Sequence, residues 1–399
     1  MKNQILIALA VLAAMPAYAD DEHQSDLRAN PTIENTRNSG ADYSSCTWMS
    51  LENNHIHMNG ADWSRAIERF DSASRGESLM NIVYLGDSHI QADFGGAVVR
   101  RRLGDIAPLA GRGIIIPFRL AGTNQPVDYT MTADKEVRGS RLLKRPWPTR
   151  MPFTGIGVET DDSINLTITS EIPFSKVRFL WKGEDAGADF VTPLTNSYTV
   201  KMNMHASTLG GAVLTADSVG VLFHSIGNNG ATYADYAGII GFGEGLQQLN
   251  PDLIIIALGT NEAFNTWDPE VMEANMDVLL ATIRRHSPQA DILLVTPTEC
   301  YRKRYRGRGR RRRATGYTIN SNVAEVREVV RNYAEDHSLP LYDMYEVVGG
   351  KGSAPRMKRH GVLGKDGVHF SAQGYRLTGS MFADALIEAL RLEAVDQNR

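Results

Sequence analysis

The sequence predicts an α/β fold: a parallel sheet with helices on both faces, interrupted by an inserted β-sandwich. Three observations carry this reading. Wholly apolar runs at 82–85, 253–258 and 292–296 have the composition of strands buried on both faces. Helical patterns alternate with those runs, as they do when crossovers cover a parallel sheet. From about 105 to 220 the pattern changes to Gly, Pro and Thr with short period-two runs, at 164–168, 176–180 and 197–202. Alternation broken by turn residues every ten or so positions reads as antiparallel strands.

The elements follow in order. Lys2, the apolar stretch Ile5 to Met15 and Ala17-Tyr18-Ala19 form a signal-peptide pattern with cleavage after Ala19. That stretch is too short to span a bilayer, so the expectation is an exported, periplasmic protein. Residues 20–75 form an N-terminal extension, polar and loosely packed to about residue 50, with a short helix from Trp63 to Phe70. Residues 76–104 and 221–399 make the α/β domain, and 105–220 the inserted module. Within the α/β domain a helix runs from Ala92 to Leu103 and stops at Gly104. Later come helices at about 270–286 and 321–336, a short strand at 341–344, and a last helix from Ala372 to about Leu392.

Composition sets outer bounds. Roughly 380 residues after cleavage, with 42% hydrophobic and 22% charged residues, are enough to bury a full core over two domains. The net charge of −4 gives no global reason to expect nucleic acid. Cys46 and Cys300 either pair in an oxidising compartment or stand as unrelated buried thiols, and the sequence leaves both open.

Four places carry chemistry, each after an apolar strand or at a helix start. Gly86-Asp87-Ser88 delivers a hydroxyl to the carboxyl end of the first strand, where α/β enzymes place their sites. Asn229-Gly230 follows the run from Val221 to Ile226, and a glycine there lets backbone approach a substrate. Gly259-Thr260-Asn261-Glu262 follows the strand of 253–258. Asp366 and His369 stand three residues apart, so the carboxylate can orient the imidazole. Each block alone is an ordinary turn or helix cap; together they are the parts of an acyl-transfer site. No His or Cys spacing calls for a metal.

These blocks and their order resemble the SGNH hydrolases, also called GDSL-type esterases and lipases, whose sheet is flavodoxin-like. The resemblance implies that Ser88 is the nucleophile, His369 the general base and Asp366 its orienting acid. It also implies an oxyanion hole built from the Ser88 and Gly230 N–H groups and the Asn261 amide. His89 stands where Leu is usual and Glu262 where Asp is common, which marks both as candidate substrate contacts. The wording Gly86-Asp-Ser-His-Ile-Gln-Ala-Asp93, the insertion and the Gly259 block look like the periplasmic peptidoglycan O-acetylesterases of Gram-negative bacteria. Those enzymes remove acetyl from the muramic acid primary hydroxyl and so permit lytic transglycosylases to act.

By that resemblance the partner is O-acetylated peptidoglycan, and the insertion is carbohydrate-binding-like, with Trp147 and Trp181 as candidates to stack on sugar. Other readings are an O-acetyltransferase or acetylesterase of another exported polysaccharide, a glycan-binding protein without activity, and a lysophospholipase or thioesterase. One segment stands outside the family pattern: residues 301–313 hold nine basic residues in thirteen. Such a run reads as a solvated loop, or as an electrostatic tether to an anionic wall or membrane surface.

Overall fold

The computed structural model describes residues 43, 46–182, 189–204, 207–307 and 313–391. The signal peptide expected at 1–19 lies outside them. Strand β1 (Leu79–Gly86) leads to the short helix Ser88–Gln91 and the helix Phe94–Gly104. Seven strands follow: β2 (Gly113–Ile115), β3 (Tyr129–Ala133), β4 (Arg138–Arg141), β5 (Ile156–Glu159), β6 (Ser163–Lys182), β7 (Phe190–Asn203) and β8 (Thr208–Thr215). The chain returns with β9 (Gly220–Gly227), then helices Tyr233–Ala237 and Phe242–Gln247, β10 (Leu253–Ala257), helix Pro269–His286 and β11 (Asp291–Val295). Next come β12 (Tyr301–Arg306), β13 (Arg313–Ile319), helix Asn322–Asp336 and β14 (Leu341–Tyr342). Helices Met344–Val347, Ser353–Arg359 and Ala372–Arg391 complete the chain.

The parallel sheet has the order β14-β11-β10-β1-β9. Read from the β9 end and counted along the chain, its strands lie second, first, third, fourth, fifth, which is the flavodoxin-like arrangement. The direction of winding reverses between β1 and β10. Open α/β sheets bind ligands at the carboxyl ends flanking such a point. Period-two alternation divides each strand between two cores. Val83, Leu85, Ile254, Ile256 and Leu294 face one, and Met80, Ile82, Ile255, Leu293 and Val295 face the other. The second core is closed by helices Ser64–Ser74, Phe94–Gly104 and Ala372–Arg391, which bury Phe70, Leu103 and Phe382.

The inserted strands are all hydrogen-bonded into one antiparallel sheet, in the crossover between β1 and β9. The runs read as separate strands at 164–168 and 176–180 are two halves of β6, which is 20 residues long. Pro173 lies in the irregular stretch between Thr169 and Lys176, where the β6–β7 register shifts. Proline is tolerated at such bulges, so what looked like a break is a bend within one strand. The first half of β6 pairs with β3 and the second with β8, while β7 follows both.

Two other expectations are corrected. The extension up to about residue 50 is not loosely packed where it is described, and Met49 is buried. Tyr43 donates to Asp384 Oδ2 on the last helix at 2.7 Å. His57 exchanges two backbone hydrogen bonds with Leu341, which covers the β14 edge. The basic run is not a loop either: β12 and β13 pair as an antiparallel hairpin, with residues 308–312 outside those described. Tyr301, Tyr305, Thr315, Tyr317 and Thr318 supply the β-favouring side chains that outweigh the charge. Of the disulfide alternatives, the thiols stand apart, since Cys300 is buried and unbridged. Among the described residues no helix is long and apolar enough to cross a membrane.

Candidate active site

The site stands at the carboxyl ends of β1, β9 and β10, beside the reversal point. Asp87 closes β1 by accepting the His89 N–H on Oδ1 at 2.8 Å, which starts the short helix that carries Ser88. On the other side, the loop after the helix Ser353–Arg359 is folded on itself. Gly364 N–H donates to the His369 carbonyl at 2.7 Å, and Leu363 bridges Phe370. Within it Asp366 Oδ1 accepts the N–H groups of Val368 at 2.9 Å and His369 at 3.0 Å. Gly367 has φ +73°, and the Tyr301 side chain fills the space where its Cβ would be, with the Tyr301 Cβ at 2.9 Å and the ring from 3.0 Å. Only glycine fits there.

This loop places a complete triad. Asp366 Oδ2 lies 2.6 Å from His369 Nδ1, and His369 Nε2 lies 2.7 Å from Ser88 Oγ. With Nδ1–H donating to the carboxylate, the Nε2 lone pair faces the hydroxyl, as a general base requires. Burial opposes ionisation of Asp366. The hydrogen bond and charge of His369 and the two backbone donors outweigh it, holding the carboxyl well below its ordinary pKa. The orienting acid is therefore ionised at neutral pH.

The expected oxyanion donors are brought together around Ser88, in two different conditions. Among the described residues, no protein acceptor takes the N–H of Ser88 or of Gly230. Gly230 is held at φ +84°, a conformation that only glycine adopts without strain. Asn261 reaches the same place, but its amide donates to Asp87 Oδ2 at 3.1 Å and to the Ala231 carbonyl at 3.0 Å. Asn261 thus clamps the first block to the second. To serve an oxyanion it must share one of these protons.

The four weaker candidates fall in different places. The His89 ring packs against that of His369, with centroids 5.1 Å apart, and its Nδ1 lies 3.2 Å from the Tyr375 hydroxyl. It supports the base. Glu262 is not directed at the substrate: Oε1 accepts the Tyr233 N–H at 2.8 Å, and Oε2 is buried without a partner. Burial raises its pKa to about 8, so it is largely protonated at neutral pH. Trp147 lies in the β4–β5 connection with the Arg145 guanidinium over its ring at 4.2 Å. Leu143 of that connection stands 3.7 Å from where a Cβ on Gly230 would be, so the insertion reaches the cleft. Trp181 packs beside Phe179 with its Nε1 buried, and no hydrogen bond or ring contact joins it to the triad.

Other residues hold the site together. Gln91 accepts the Asn229 N–H on Oε1 at 2.7 Å, and its amide donates to Thr123 Oγ1 at 3.0 Å and the Asn124 carbonyl at 2.8 Å. One side chain so joins the nucleophile block, the Gly230 block and the insertion. Two residues on, buried Asp93 takes Arg100 and Arg112 on one oxygen, each at 2.8 Å, and Ser225 on the other. Arg112 also grips Asp128 through Nε and Nη2, both at 3.0 Å. Gln91 and Asp93 were visible in Gly86-Asp-Ser-His-Ile-Gln-Ala-Asp93 as polar residues just past the nucleophile. Apart from Arg100, seven positions on, their partners lie 19 to 138 positions away and left no local signal.

Residues 197–377 match the GDSL-like Lipase/Acylhydrolase family. The match includes Gly230, Asn261, Asp366 and His369, while Ser88 lies upstream, across the insertion. A solved peptidoglycan O-acetylesterase superposes with a TM-score of 0.70 at 23% identity, over 84% of this chain and 99% of that one. A lipase/acylhydrolase from Enterococcus faecalis is 22% identical over 42% of this chain and 75% of its own, with a TM-score of 0.30. A carbohydrate esterase family 3 protein from Talaromyces cellulolyticus is 15% identical over 44% and 73%, with a TM-score of 0.31. No curated protein matches the chain. The chain thus has the SGNH hydrolase fold, matched over residues 197–377 by the GDSL-like Lipase/Acylhydrolase family, with the Ser88 block parted from the other three by an inserted antiparallel sheet.

Proposed function

We propose that this protein is a serine esterase that removes O-acetyl groups from peptidoglycan, at the primary hydroxyl of muramic acid. The observation that carries the reading is the preformed triad, with both bonds at 2.6 and 2.7 Å. The substrate class is supported by the similarity to a peptidoglycan O-acetylesterase, which extends over most of both chains.

In the first step Ser88 Oγ attacks the acetyl carbonyl while His369 Nε2 takes its proton. The oxyanion is met by the N–H groups of Ser88 and Gly230, with Asn261 completing the hole. The tetrahedral intermediate collapses as its bond to the sugar oxygen breaks, and the imidazolium gives its proton to that oxygen, which leaves as the free hydroxyl. Acetyl-Ser88 is then attacked by water, with His369 again as base, to release acetate. His369 is 23% exposed and Asp366 38%. Acetyl release to water rather than to a second sugar is the outcome the acetate assay reads.

Export to the periplasm, through the segment ending at Ala19, would place the enzyme with this substrate. Clearing the hydroxyl there would release the strand to lytic transglycosylases and so regulate wall turnover. The basic 302–313 run would add electrostatic association with an anionic wall or membrane surface. The test is acetate release from O-acetylated peptidoglycan, set against acetylated xylan and short- and long-chain acyl esters. A preference for long acyl chains, or no release from peptidoglycan by protein that cleaves simple acetyl esters, overturns the reading.

A further inference from the structure

We propose that the β12–β13 hairpin is a second substrate contact, gripping the carboxylates of the peptide stems on the glycan strand whose acetyl group is presented to Ser88. This rests on the peptidoglycan reading and extends it from the scissile ester to a charged part of the same polymer.

Position is the first argument. The Tyr301 N–H donates to the Gly367 carbonyl at 2.7 Å, two residues before His369, and the Tyr301 ring packs directly on Gly367. An arm that only held the protein near a charged surface could project from anywhere. This one is fastened to the loop that carries the base.

Charge is the second. Strand alternation puts Arg302, Arg304 and Arg306 on one face of β12, and Arg306 stands directly opposite Arg313. Like charges facing each other across a strand pair are destabilising, and a lone two-stranded hairpin is marginal in water. Among the described residues no carboxylate pairs with Arg304, Arg306 or Arg313. A bound anion removes that repulsion, and the planar guanidinium suits a carboxylate in particular. Across the strands from these arginines stand Thr318, Gly316 and Arg313, with no apolar side chain to enter a bilayer. A hydrophilic polyanion therefore fits better than lipid.

The opposite face anchors the arm. Tyr301, Lys303 and Tyr305 alternate there, with Tyr317 across from Lys303. Lys358, from the helix Ser353–Arg359, places its ammonium 5.2 Å from the Tyr301 ring centroid and 5.7 Å from that of Tyr317. These cation–π contacts tie both strands to the helix before the catalytic loop.

The experiment measures binding without turnover. Ser88→Ala protein is sedimented with insoluble peptidoglycan bearing intact stems, and with the same material after an amidase has stripped them. The expected result is about tenfold tighter binding to the stem-bearing form, lost when Arg304, Arg306 and Arg313 are replaced by serine, and competed by free stem peptide. Competition uses the intact arm, so the test stands even where the triple variant fails to fold. Equal binding to both materials overturns the proposal, as does failure of stem peptide to compete. A third overturning result is substitutions that abolish binding to phosphatidylglycerol vesicles and leave the stem preference intact. Because binding needs no ester cleavage, loss of the stem preference and absence of acetate release are separate results, so failure of this proposal is told apart from failure of the esterase reading.

Discussion

At the scale of residues, the triad behaves as a unit. Ser88→Ala and His369→Ala should each lower kcat by about 10⁶, and Asp366→Asn by about 10⁴, because the last misorients a base that is still present. Ester hydrolysis by purified, folded variants checks this, and substantial activity in both alanine variants sinks the assignment. Asn261→Ala should cost about 10²- to 10³-fold in kcat, the usual loss for one oxyanion donor. A cost confined to stability would mean that Asn261 only clamps Asp87 to Ala231. Glu262 gives a pH signature. Its carboxyl titrates at about 8 in the fold against an ordinary 4.5, so folding favours the protonated form. Stability should be greatest below about pH 4.5 for this group and decline as pH rises to about 8. Glu262→Gln keeps the acceptor for Tyr233 and cannot ionise, so the Tm difference between pH 5 and pH 8 should shrink in the variant. An unchanged difference rules out that ionisation as its source. Ser88, Asp366 and His369 were legible because each sits at a strand end or turn that sequence marks. The inward turn of Glu262 was not, because it depends on Tyr233, 29 positions away.

At the scale of elements, the charge network determines how the insertion meets the sheet. Asp93 begins the helix Phe94–Gly104, and Arg112 and Asp128 belong to the insertion, so their bonds join the two. Asp93→Ala leaves Arg100 and Arg112 buried without their shared carboxylate. It should destabilise the protein by about 3–5 kcal/mol, read by chemical denaturation; a loss within 1 kcal/mol would show that Asp128 suffices for both. The two tryptophans divide along the same lines. Trp147→Ala should raise KM for polymeric peptidoglycan and spare small acetyl esters, because its connection borders Gly230. Trp181→Ala should lower Tm and leave the ratio of the two activities alone, since it packs with Phe179. Strands and helices of the parallel sheet were legible because burial on two faces writes continuous apolar runs. The hairpin at 301–319 was hidden, since charge density was read ahead of the tyrosine and threonine alternation. β6 was read as two strands because Pro173 signals a break even where the ladder resumes beyond it.

For the whole molecule, the decisive feature is that the insertion has no core of its own. One continuous apolar cluster joins Val83, Leu85, Ile254 and Ile256 of the parallel sheet to Ile114, Ile168, Val177 and Leu214 of the antiparallel one. Buried His224 adds a polar link: its Nδ1 accepts the Ile114 N–H at 3.1 Å, and burial lowers its pKa to about 3, keeping the ring neutral and able to accept. Two readable compositions thus share one core, because sequence patterning shows which face of a strand is apolar and not what covers it. The described chain should then unfold in a single cooperative step. Intrinsic tryptophan fluorescence follows Trp147 and Trp181 of the insertion together with Trp48, Trp63 and Trp267 outside it, so it is to be compared with far-ultraviolet circular dichroism across a urea titration. Coincident midpoints are expected, and residues 105–220 expressed alone should show no cooperative transition. Separate midpoints, or a stably folded isolated insertion, would show that the antiparallel sheet stands without the parallel one and that the shared core is only a docking surface.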